Sequence, residues 1–195
     1  MKKYTESILP GRYYHVFNRS INREPLFLKP DNYVYFLKKF YLHLGPVSDI
    51  FCYCLLENHF HFLLRTKTEE DIKRVFKNRY KERSADFILS KQFSNFFNGY
   101  AQAFNKMSDR TGGLFEEPFR RKEITTEAQL AETILYIHLN PVKHKLSIDY
   151  TTYPYSSYSS ILNASDQRIQ HQFVVQFFGN LEEFVVAHAM KLAMY

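Results

Sequence analysis

Phe51-Cys52-Tyr53-Cys54-Leu55-Leu56-Glu57-Asn58-His59-Phe60-His61-Phe62-Leu63-Leu64 decides the fold. Two apolar runs rich in aromatic and aliphatic residues flank Glu57-Asn58, which suits a tight turn, so the stretch predicts a hairpin with strands over 50–56 and 59–65. Side chains alternate along a strand, so His59 and His61 leave from one face and Phe60 and Phe62 from the other. Two neutral imidazoles on a rigid sheet are a platform for one metal ion. His-x-His pairs also arise by chance in a chain with 8 histidines, so the rest of the chain has to decide between a site and a coincidence.

Working outward, residues 12–18 predict a strand and residues 20–30 a connection. Asp31 or Asn32 is the expected cap of a helix running to about Leu44, with Tyr33, Phe36, Leu37, Phe40 and Tyr41 at helical spacing and Gly45-Pro46 as its stop. Thr68 opens another helix, with Asp71 in the acidic place of a capping box. Phe96, Phe97, Tyr100, Ala103 and Phe104 predict a helix over 94–107. Residues 114–124 read as an extended segment or fourth strand interrupted at Pro118. Thr126 and Gln129 cap a helix to about Leu139, which Pro141 is expected to end. Residues 151–160, rich in Ser, Thr and Tyr, read as a loop closing over the core. The order strand, helix, strand, strand, helix, strand, helix predicts an α+β ferredoxin-like sandwich, an antiparallel sheet with helices on one face. We divide the chain into a domain over 1–163 and a helical C-terminal extension over 164–195, which packs on the core or mediates dimerisation.

Composition bounds the function. The chain has 195 residues, 45% hydrophobic, enough for one well-buried domain rather than a disordered chain. Its 26 basic and 20 acidic residues give a net charge of +6, which favours a polyanionic partner. The basic residues gather in three places: from Arg65 to Arg83, at Arg120-Arg121-Lys122, and at Lys143-His144-Lys145. Most of the aromatics are core, and a minority suit stacking on unpaired bases. Cys52 and Cys54 are too close along one strand to bridge easily, and read as reduced, buried residues of a cytoplasmic protein. No apolar stretch is long enough to span a membrane, and Met1-Lys2-Lys3 is not followed by a signal-peptide core.

The second constellation is Tyr136-Ile137-His138-Leu139-Asn140-Pro141. Tyr136 and Asn140 are one helical turn apart and share a face, while Leu130, Ile134 and Ile137 would bury against the sheet. A tyrosine near a helix end is ordinarily an amphipathic packing residue. Placed near a histidine pair it gains another use. Its hydroxyl can attack a phosphodiester and form a covalent link to DNA, but with a pKa near about 10 it is a poor nucleophile at neutral pH. It needs a Lewis acid on the scissile phosphate. Two imidazoles leave most of a divalent ion's shell open, and an amide oxygen of Asn140 can add a third protein ligand.

Together with Tyr14-His15-Val16-Phe17-Asn18-Arg19, Gly113-Leu114-Phe115 and Phe119-Arg120, these motifs resemble the HUH-type single-tyrosine transposases, in particular the REP-associated branch. The resemblance covers most of residues 12–160. It implies a metal-dependent single-stranded DNA endonuclease and strand-transferase acting through a 5′-phosphotyrosine link at hairpin DNA. His59 and His61 match the metal histidines, with Mg2+ or Mn2+ as cofactor. Tyr136 matches the nucleophile, and Asn140 the polar third ligand. It also implies a cytoplasmic, nucleoid-associated protein, with a homodimer as one arrangement. For DNA-backbone contacts the candidates are Arg120, Arg121, Lys122, Lys143 and Lys145, then Arg19 and Arg23. Two other readings compete. A non-catalytic single-stranded nucleic-acid-binding protein would bind without metal and never cleave. A structural zinc protein would use Cys52, Cys54, His59 and His61. Were Tyr136 not the nucleophile, Tyr100 is the next candidate.

Overall fold

In the computed structural model, which describes residues 7–195, the hairpin forms one half of a four-stranded antiparallel sheet. The strands are β1 (Tyr13–Arg19), β2 (Ser48–Leu56), β3 (His59–Thr66) and β4 (Arg120–Ile124), in the order β2-β3-β1-β4. That is the ferredoxin-like arrangement expected. Met1-Lys2-Lys3 lie outside the described residues. The helices are α1 (Pro30–Leu44), α2 (Glu69–Phe76), α3 (Ala85–Met107), α4 (Glu127–Lys143), α5 (Tyr158–Leu162), α6 (His171–Phe177) and α7 (Leu181–Leu192).

Alternation along β3 builds two different layers. On one face Phe62 stacks on Phe40 of α1 at 3.7 Å between ring centroids, and Phe60 meets Phe36 at 5.0 Å. Phe96 of α3 closes this layer against Phe36 at 5.0 Å. The opposite face carries His59, His61 and Leu63. Here α4 lies along β2 and β3, with Ile134 and Ile137 fully buried. The sandwich therefore gains a third layer over half of the face expected to be open. The β1–β4 half is less covered: His15 and Phe17 are half-buried, and Arg120 and Lys122 are exposed.

Several boundaries differ from expectation. α3 begins at Ala85, nine residues before Ser94, because Ile88, Leu89 and Phe93 continue its buried stripe upstream and Gln92 is buried among them. α1 has Pro30 in its first turn and Lys29 as its cap. Asn32 works from inside the first turn, its Oδ1 accepting from the Leu28 and Lys29 amides at 2.9 and 3.2 Å. Thr68 and Thr126 cap α2 and α4 as expected. Pro141 does not end α4, which runs on to Lys143. So near the end of a helix, proline removes only the bond to the carbonyl four residues back, and the next turn is kept by His144 donating to the Asn140 carbonyl at 2.9 Å.

The segment after α4 seals the outer edge of β2. Leu55 N–H donates to the Tyr155 carbonyl at 2.9 Å, Ser157 N–H to Tyr53 at 3.0 Å and Gln170 N–H to Ile50 at 2.8 Å. A sheet edge paired in this way is closed to other chains. The tail then docks on α4 through a buried polar chain. His188 Nδ1–H donates to the Phe184 carbonyl at 2.7 Å, which leaves Nε2 to accept from His138 Nδ1–H at 2.9 Å. His138 Nε2 in turn lies 3.0 Å from Ser157 Oγ, whose hydroxyl also reaches the Tyr53 carbonyl at 3.2 Å. The His138–His188 bond has room for one hydrogen, so it is lost once both rings are protonated. Lys191 adds an ion pair with Glu132 of α4 at 2.9 Å. No helix among the described residues is long and apolar enough to cross a membrane.

Candidate functional site

β3 and α4 bring the two sequence constellations together. The Tyr136 ring stands edge-on to His61, with centroids 5.4 Å apart and planes at 86°. His59 and His61 project from one face with rings 5.3 Å apart. Asn140, one turn beyond Tyr136, is fully buried. Its Nδ2 donates to the Tyr136 carbonyl at 2.7 Å, and its Oδ1 is buried with no hydrogen-bond partner. His61 Nε2 is likewise buried and unpartnered. Two orphaned acceptor-capable atoms beside one tyrosine are an unusual cost in a folded protein.

Three side chains here had no role assigned from sequence. His15 of β1 places its Nε2 3.0 Å from His61 Nδ1. Asn58, at the hairpin turn, places Oδ1 2.7 Å from His59 Nδ1. His144, read only as part of a basic cluster, sets its ring 4.7 Å from that of His59. The signal for His15 lay in its alternation on β1, which puts it on the His61 face once the β1–β3 register is known.

Burial holds all these imidazoles neutral. It lowers His59 to about 4, with His144 and Arg19 adding to the effect. His61 lies well below the usual value through burial and then the neighbouring His15, His59, His144 and Lys143. His15 is lowered to about 3 by burial and then by Lys122. Neutral imidazole is the form that binds cations. Burial, then Tyr195, raises the Tyr136 pKa, with the Asn140 amide opposing. The Tyr136 phenol is therefore protonated at neutral pH. Lys143 Nζ stands 4.7 Å from the Tyr136 ring centroid, a cation over an aromatic face that fixes the ring.

The unpartnered His61 Nε2 and Asn140 Oδ1 are lone pairs of the kind that a divalent cation takes. Among the described residues no three His, Cys, Asp or Glu side chains could hold a metal by themselves. This overturns the four-ligand zinc reading. Cys54 pairs with His61 across the β2–β3 ladder, but Cys52 pairs with Leu63 and His59 with Leu56, so the four are spread over several rungs. Both cysteines are buried and unbridged. Tyr100 is buried on the opposite face, its hydroxyl donating to the Leu26 carbonyl at 2.6 Å, and has no access to the histidines.

The basic candidates divide by strand alternation. Arg120 pairs with Phe17 and Lys122 with His15 in the β1–β4 register, so both lie on the histidine face. Arg121 pairs with Val16 and so leaves from the other face, its guanidinium 4.6 Å from the Phe119 ring. Arg120 and Arg19 both pair with Glu116, at 2.9 and 3.8 Å. Lys145 is exposed beyond α4. Arg23 reaches the site through its backbone, its carbonyl accepting from Asn58 Nδ2 at 3.1 Å. On the α3 side, away from the histidines, Phe97, Phe115 and Phe119 floor a groove of about 720 Å³.

A curated protein of Haemophilus influenzae (strain ATCC 51907 / DSM 11121 / KW20 / Rd), provisionally named a REP-associated tyrosine transposase, is 30% identical over 107 residues. The match covers 54% of this chain and 56% of the relative, so the chain spans about half the length of the curated relative it matches. A solved structure of a REP-associated tyrosine transposase bound to a REP hairpin superposes with a TM-score of 0.65, covering 85% of this chain and 87% of that one. The chain is similar to the REP-associated tyrosine transposases. At 15% identity the likeness to the solved transposase is one of fold. No protein-family model matches the chain.

Proposed function

We propose that the chain cleaves and rejoins single-stranded DNA beside a hairpin, with Tyr136 as the nucleophile. The observation that carries this reading is the Tyr136 ring 5.4 Å from His61, beside the unpartnered His61 Nε2 and Asn140 Oδ1. The name of the curated relative and the hairpin bound to the structural neighbour support the substrate class.

His59, His61 and Asn140 would hold Mg2+ or Mn2+, which supplies neutralisation of charge on the scissile phosphate. The chain's own side chains do the rest. Lys143 and the His61 ring hold the Tyr136 ring in place. The phenolic oxygen attacks phosphorus and a new P–O bond forms. The bond from phosphorus to the 3′ oxygen breaks, the phenolic proton passes to solvent, and the 3′ oxygen takes a proton from water. The product is a 5′-phosphotyrosine link and a free 3′-hydroxyl. Attack by a 3′-hydroxyl on that link reverses the step and joins strands without a nucleotide cofactor. Arg120 and Lys122 line the approach across β1 and β4 and would take backbone phosphates, positioning the strand without reading its sequence.

The test is incubation of labelled hairpin oligonucleotides with Mn2+, with protein–DNA adducts read on denaturing gels. The wild type forms an adduct, and Tyr136→Phe binds the same DNA without forming one. An adduct that persists in Tyr136→Phe refutes the assignment. Binding without any adduct in the wild type favours the non-catalytic nucleic-acid-binding protein instead.

A further inference from the structure

The hydrogen bonds behind the histidine pair are directional, and they give His15 a task. Asn58 Nδ2 donates to the Arg23 carbonyl at 3.1 Å, which turns Oδ1 toward His59 Nδ1 at 2.7 Å. An amide oxygen only accepts, so His59 carries its hydrogen on Nδ1 and offers a lone pair at Nε2. At His61 the amide is replaced by a second imidazole: His15 Nε2 lies 3.0 Å from His61 Nδ1. Between two neutral rings one nitrogen donates and the other accepts, and the far side of His61 decides which. His61 Nε2 is buried with no partner. A hydrogen there would be a buried donor with nothing to receive it, while a lone pair there is what a cation uses.

We infer that His15 is a positioning residue that accepts from His61 Nδ1–H and thereby presents the His61 Nε2 lone pair to a divalent cation. This rests on the metal-dependent reading above and deepens it: His15 does for His61 what Asn58 does for His59. β1 supplies the placement. His15 pairs with Leu63 and Phe17 with His61, so His15 is the diagonal neighbour of His61 on the same face. Phe17, stacked against His61 with centroids 5.7 Å apart, keeps that ring from swinging away. Partners behind metal-binding histidines set ring orientation and tautomer, and their loss typically costs about 10–100-fold in affinity.

Two measurements on the full chain test this. In metal-free protein, long-range 1H–15N spectra of the imidazoles report the tautomer directly. The wild type shows His61 protonated on Nδ1; a wild-type His61 protonated on Nε2 overturns the inference whatever the metal does. The second is calorimetric titration with Mn2+. His15→Leu, which keeps bulk and removes the acceptor, binds about 10–100-fold more weakly than wild type. His15→Gln, whose amide oxygen can accept in the same place, restores most of that loss. A purely structural role predicts no rescue by Gln, so equal losses in both variants, or wild-type affinity in His15→Leu, overturn the inference. His61→Ala is the control for the reading beneath it. If wild type binds no Mn2+, or binds it as His61→Ala does, the metal reading fails, and with it the role of His15.

Discussion

Lowering the pH from 7 to 4 should loosen the C-terminal helix from the helix that carries Tyr136. His188 is the group to follow. Buried between α7 and α4, it is held at about 4 against an ordinary 6.5, by burial that outweighs its bond to the Phe184 carbonyl. Above pH 6.5 its ring is neutral in both the folded and the unfolded chain. Between 6.5 and about 4 the unfolded chain binds a proton that the folded chain refuses, so stability falls with pH across that window. Below about 4 both forms are protonated and the loss levels off. At about 1.4 kcal/mol for each pH unit, the window is worth roughly 3 kcal/mol. The assay is urea unfolding followed by circular dichroism at several pH values in chelator, for wild type and His188→Gln. The other buried histidines contribute their own acid loss in both proteins, so the comparison is between slopes. His188→Gln should lose roughly 3 kcal/mol less than wild type from pH 7 to pH 4. Equal losses would refute the claim that the neutral ring is locked between the two helices.

The other predictions concern the site and the core. His59→Ala should abolish Mn2+-dependent adduct formation while hairpin binding in chelator survives; full activity in His59→Ala, or in excess chelator, would reject the metal site. Replacing Arg120 and Lys122 together by Gln should flatten the salt dependence of single-stranded hairpin binding, measured by fluorescence anisotropy, by about 1.4 in the log–log slope, at ~0.7 per phosphate contact. Arg121→Gln, on the other face, should leave that slope nearly unchanged. Phe62→Ala removes a fully buried ring stacked at 3.7 Å on Phe40 and should cost about 3–5 kcal/mol in chemical denaturation.

The sheet was legible because its signal is local. A turn between two apolar runs gives the hairpin, and period-two alternation alone puts His59 and His61 on one face. The pairing of that face with Tyr136 was legible through helical spacing and the motif order. What escaped reading depends on register and tertiary contact. Arg120-Arg121-Lys122 reads as one basic patch, yet the alternation used for the histidines splits it between two faces. The first nine residues of α3 carry Ser90, Lys91 and Gln92 across the apolar stripe, and only burial of Gln92 against the core makes the stripe continuous. Pro141 is a helix stop by local rule, and the chain overrides it within one turn of the end. His15 could not be given a task from its own strand, since its partner lies 46 residues away.

The placement of His138 midway between Tyr136 and Asn140 makes α4 a two-sided beam. Its front carries the Tyr136 phenol, and its back is bolted to the tail through His188 and to the loop through Ser157. A roll of this helix about its axis would swing the phenol and tear two buried polar contacts together, each break costing about 1–3 kcal/mol. The tail therefore acts as a stop on the angular freedom of Tyr136, although its own His188 sits on the far side of the helix from the histidine pair.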